Sequence, residues 1–154
     1  MKPIIGSLNV TLEPVRIAPV TPAEAYFGAA QALMPGAQWL ATAPSIPGSA
    51  LTLVSGHMLE CLLKAFLSSR GTTESELKKR GLRHNLSKLW RQASIAGLQI
   101  SPTPPAWVER LSALHNHPFY LRYPMGLNGL FLPATEPMLS EMQALLDLVR
   151  QKIR

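Results

Sequence analysis

Arg110 is followed by His115 after four intervening residues and by His117 after six. A guanidinium holds a phosphate and an imidazole takes a proton from a hydroxyl, so this pair of residue types suits phosphodiester chemistry without a metal. On a continuing helix Arg110 and His117 fall about 20° apart, at the flank of an apolar stripe of Trp107, Leu111 and Leu114. His115 falls nearer the apolar side and reads as a packed, hydrogen-bonded core histidine. The plainer alternative pairs Arg110 with an acid and has His117 cap a helix end before Pro118. The run His115-Asn116-His117 lacks the nearby Cys or carboxylate cluster of a zinc site, so neither a metal nor another cofactor is expected.

Two further sets suit anions. Between residues 70 and 91 stand Arg70, Lys78, Lys79, Arg80, Arg83, Lys88 and Arg91 against Glu74 and Glu76, a local +5. Residues 1–59 sum to zero, so most of the net +6 sits in one short stretch. Lys78, Lys79, Arg80, Arg83, Lys88 and Arg91 form either a solvated face or a track for a polyanion. In Arg122-Tyr123-Pro124 the proline disfavours helix at Tyr123, which presents Arg122 at a kink. Its guanidinium is expected in a salt bridge to Glu60, with a phosphate or carboxylate ligand, shared with Tyr123, as the alternative. Cys61, the single cysteine, lies in an apolar helical run and reads as a buried thiol.

Helices must position these groups. Residues 1–20 read as an extended arm, since Leu8, Val10 and Leu12 alternate with polar residues and Pro14 and Pro19 limit any strand. The first helix opens on Thr21, Pro22 and Glu24, a capping box, and is expected to stop at Pro35-Gly36. Residues 35–48 read as a connection pinned to the core by Trp39 and Leu40. The second helix, about Ser49 to Ser69, carries Thr52, Gly56, Glu60 and Lys64 as a narrow polar stripe on an otherwise apolar surface, so its neighbours wrap it. Gly71 ends it. A third helix runs from about His84 to Ala96 with Gly97 as its stop, and a fourth begins at Thr103 and ends by Pro118. The apolar loop 122–133 is expected to pack down, and a last helix covers about Glu136 to Ile153.

The 154 residues fit one domain, 21–154, behind the arm at 1–20. Nearly half are apolar and 16% are charged, which excludes a disordered chain. His57, Glu60 and Lys64 interrupt the longest apolar stretch, which argues against a membrane span and for a cytoplasmic protein.

Four pieces in order resemble the HEPN family. His57-Met58-Leu59-Glu60-Cys61-Leu62-Leu63-Lys64-Ala65-Phe66-Leu67, followed by Arg70-Gly71, is similar to the family's Glu-x-x-Leu-Lys-Ala helix. His84-Asn85-Leu86 resembles its His-Asp-Leu helix start, with Asn85 in place of Asp. Arg122-Tyr123-Pro124 is similar to the Arg-Tyr-Pro of one branch, and an amphipathic last helix completes the match over about residues 49–154. The resemblance implies an all-α, five-helix bundle and a nucleotide- or RNA-linked binding module, with half of a toxin–antitoxin or defence system as a setting it would suit. It implies association with a nucleotidyltransferase-type protein in some branches. The lone arm and the apolar excess predict a homodimer. A metal-independent endoribonuclease using Arg110 and His117 is the alternative, although Leu111 follows the arginine where the family's ribonucleases carry a polar residue. A structural dimerisation domain is the third reading.

Overall fold

The computed structural model describes residues 19–45, 47–123, 126 and 128–153, and the extended arm lies almost wholly outside them. Among the described residues there are six helices and no strand: α1 Pro22–Ala41, α2 Gly48–Ser69, α3 Glu74–Leu77, α4 Leu86–Ile95, α5 Ala106–His115 and α6 Thr135–Lys152. The all-α bundle is thus as the sequence indicates, with one short helix more than expected. Its Thr73-x-x-Glu76 capping box is the signal that reveals it.

α2 is the axis. From Leu51 to Leu67 most of its side chains are buried, with Met58, Leu59, Leu62, Leu63 and Phe66 fully so. α1, α4, α5 and α6 all pack on it. It is long and apolar enough to cross a membrane, yet most of that stretch is covered by the other helices. Gly71 and Gly97, at φ +91° and +94°, end α2 and α4 as the sequence predicts, because a residue without Cβ enters the left-handed region freely.

Two expectations about α1 need correction. Thr21 and Glu24 do form the capping box, but the helix runs through Pro35 to Ala41. Proline costs an interior helix one hydrogen bond and a steric clash. Here Met34 and Ala37 on either side of it are buried, and Leu40 packs against the core, so the helix gains more from this face than it loses at one bond. Trp39, expected to anchor the connection, is instead 72% exposed on the outer face. Phe131, expected to pack down, is also largely exposed. In the same loop Pro124, Met125 and Leu127 lie outside the described residues.

Candidate functional site

The polar stripe of α2 points inward. Thr52, Gly56, Glu60 and Lys64 are all buried, and Glu60 is 5% exposed. One Glu60 oxygen, Oε1, pairs with Lys64 one turn on. The other, Oε2, faces His115 Nε2 at 2.7 Å and His84 Nδ1 at 3.0 Å. Burial alone would raise this carboxyl, but hydrogen bonds from His115, His84 and Lys64 outweigh it and hold the pKa down to about 2. An ionised carboxylate only accepts, so both histidines present N–H to it. The tautomers follow: His115 carries its proton on Nε2 and, when neutral, His84 carries it on Nδ1. Arg83 Nε donates to His84 Nε2 at 3.0 Å, as that assignment requires.

His115 reaches Glu60 because Gly56 makes room. A Cβ at residue 56 would lie 2.8 Å from His115 Nδ1 and 3.2 Å from its Cγ. Gly56→Ala is therefore expected to lower stability by about 1–3 kcal/mol, as overpacking does. The helix-propensity gain of up to about 1 kcal/mol does not reverse that. Urea unfolding of the two proteins measures it, and an increased midpoint in the variant contradicts the packing described.

Glu60, His84 and His115 place three ligand-type atoms within 4.8 Å of one another, close enough to consider a metal. Their other contacts do not suit one. A ligating histidine donates its second N–H to an acceptor. His115 Nδ1 is buried without a partner, and His84 Nε2 is met by a donor, Arg83. The Lys64 ammonium already holds the carboxylate from the other side. The set fits a buried, hydrogen-bonded acid better than a cation site.

His84 is the link to the surface. It closes one wall of an open cavity of about 500 Å³, whose other walls include Lys78, Arg80, Arg83, Asn116, His117 and Phe119. Phe119 has φ +64°, uncommon for a side chain of its size. Its ring meets His84 and His117 edge-on at 5.5 and 5.8 Å, and the Arg122 guanidinium lies 5.7 Å from its centre. A second cavity of about 580 Å³ shares Arg80 and Gly81 and adds Arg70, Lys79 and Lys88, with Glu76 as its acid. The basic stretch thus borders two adjoining hollows, one with a histidine pair and an aromatic ring.

The residues singled out by sequence fall in different places. Lys78, Arg80 and Arg83 line the first cavity, and Lys79, Arg80 and Lys88 the second. Lys78 also pairs with Glu74 at 3.0 Å, and Arg91 is taken by Glu109 at 3.0 Å. His115 is a core histidine, 2% exposed. α5 stops at it, so His117 lies beyond the helix and the 20° relation to Arg110 does not apply. His117 stands exposed at the mouth of the first cavity, while Arg110 is exposed on α5 and lines neither hollow. Arg122 does not pair with Glu60. It is exposed over Phe119, because both Glu60 oxygens are occupied by Lys64, His84 and His115. Tyr123 is 64% exposed and borders neither cavity. Cys61 is buried, and desolvation together with the Glu60 charge pushes its thiol up to about 11, so it stays protonated. Sequence reading missed His84, although the polar stripe on a wrapped helix signalled that Glu60 needs buried donors.

No protein-family model, curated protein or solved structure matches this chain.

Proposed function

We propose that this chain is a HEPN-like, nucleotide- or RNA-linked binding module whose ligand is held through its phosphates. The observation that carries the reading is the first cavity: Lys78, Arg80 and Arg83 converge on it together with two imidazoles and a phenyl ring. Guanidinium and ammonium groups supply charge-assisted hydrogen bonds to phosphate oxygens, and a ring gives a base a face to stack on. Glu60, the acid nearest His84, has its charge already engaged by three donors and leaves the cavity cationic. The adjoining hollow at Arg70, Lys79 and Lys88 extends the same track, which favours a strand over a single small anion. Under the HEPN reading the module works as a homodimer, beside a nucleotidyltransferase-type partner or within a toxin–antitoxin or defence system.

Binding without cleavage is the reading the geometry favours. The ribonuclease alternative needs Arg110 and His117 together, and only His117 borders the cavity.

Titration of a labelled single-stranded RNA at several salt concentrations tests the proposal. With three to five phosphates neutralised, log affinity is expected to fall against log salt with a slope between about −2 and −3.5. Absence of binding at low salt, or binding insensitive to salt, rejects it.

A further inference from the structure

We propose that His84 is an anion-contacting residue that takes up one proton when a phosphate-bearing ligand occupies the first cavity. The inference rests on the reading of that cavity as a phosphate site. The His84 Nε2 lone pair accepts from Arg83 Nε at 3.0 Å, while Nδ1–H is held by Glu60 at 3.0 Å. Arg83 is thereby tied to the cavity wall by its own neighbour.

Protonation rearranges this wall without moving its foundation. An imidazolium is a donor at both nitrogens. Nδ1–H stays on the ionised Glu60 carboxylate, and Nε2–H becomes a donor at the cavity wall. Two donors do not face each other, so Arg83 is released toward the anion. One proton gained from solvent thus adds two donors to the site: an N–H bond forms at Nε2, the Arg83–His84 hydrogen bond breaks, and no other covalent bond changes.

The surrounding charges make the uptake depend on the ligand. From α2, Glu60 favours the imidazolium and Lys64 opposes it. From the loop after α3, Lys78, Arg80 and Arg83 oppose it, and His117 lies across the same cavity. Arg122 is held one ring away, over Phe119. A phosphate neutralises the opposing cations, so anion binding and protonation favour each other, and the coupling is reciprocal. His115, whose ring centre lies 5.8 Å from that of His84, does not line the cavity. Its free Nδ1 is buried without an acceptor, so a proton there would be an unpaired donor.

Calorimetric titration of a short oligouridylate at low salt and about pH 7.5, in buffers of different ionisation enthalpy, reads the proton directly. Up to about one proton is expected to be taken up per RNA bound, and affinity is expected to weaken by as much as about tenfold per pH unit as pH rises. His84→Asn keeps an N–H for Glu60 but has no group to protonate, so it is expected to bind more weakly with the uptake lost. His57→Asn, which lies outside this cavity, is expected to keep both the binding and the uptake. Nitrogen-detected NMR of the wild-type His84 ring adds a measurement that needs no variant: its Nε2 is expected to change from a bare to a protonated nitrogen on RNA addition. Binding with no proton uptake, uptake that survives His84→Asn, or a His84 ring unchanged by RNA overturns the proposal and leaves the phosphate site standing. No binding at any pH overturns both.

Discussion

Glu60→Ala is expected to destabilise the fold by about 3–5 kcal/mol, the usual cost of removing one partner from a buried ion pair. Three donors lose their acceptor at once. Lys64, 4% exposed, keeps a buried ammonium, with the Tyr26 ring at 5.7 Å and the Glu74 carboxylate as weaker electrostatic neighbours. His115 loses the bond that fixes it against Gly56, and His84 loses the one that orients it toward the cavity. For a chain of this size the melting temperature should drop by roughly 6–20 °C. Lys64→Met added to Glu60→Ala should recover part of the loss, because the uncompensated charge leaves with it. A single variant within about 1 kcal/mol of wild type contradicts the buried hub.

The same carboxyl gives the stability a pH signature. Its folded pKa, about 2, is depressed below the ordinary 4.5. A depressed carboxyl stabilises the fold fully above its unfolded value and loses that contribution as pH falls through the folded one. The Glu60 share is therefore present above about pH 4.5 and lost on acidification toward pH 2. The Glu60→Ala variant should show a flatter acid limb than wild type.

Much of this arrangement is legible in the sequence, and the parts that are not share a cause. Thr21 with Glu24, Gly71 and Gly97 act within a few residues of chain, and each ends or starts a helix where local chemistry requires. Asn85, uncharged, caps α4 through its side-chain oxygen, which accepts from the Lys88 N–H at 2.9 Å. Capping needs an acceptor more than it needs a charge. Pro35 misleads because its local cost is overruled by burial of Met34 and Ala37 against the bundle, which no short window contains. The partner of Glu60 is a question of the same kind. The stripe on α2 announces a buried polar contact, but Arg122, His84 and His115 all lie far along the chain. Only the packing of α5 on α2 and the turn before α4 decides among them. His117 shows the reverse error: a helical wheel carried two residues past the end of α5 at His115.

The second large effect concerns the ligand. Arg80 belongs to both cavities and Arg83 lies beside His84, so the pair Arg80→Gln and Arg83→Gln removes the centre of the cationic track. A hydrogen bond from a charged donor contributes about 1.5 kcal/mol or more, so losing two is expected to weaken RNA binding about a hundredfold. The salt slope should shrink by about 1.4, or 0.7 for each phosphate no longer neutralised. Both residues are exposed, so stability should change little. Arg150→Gln with Lys152→Gln removes the same formal charge from the last turn of α6, where neither residue borders these cavities. The decisive measurement is RNA affinity for these two double variants side by side at one low salt concentration. The account predicts about a hundredfold loss in the first and less than about threefold in the second, since a remote surface charge acts only through the screened general field. Equal losses in both, or none in either, contradict a phosphate site at Arg80 and Arg83.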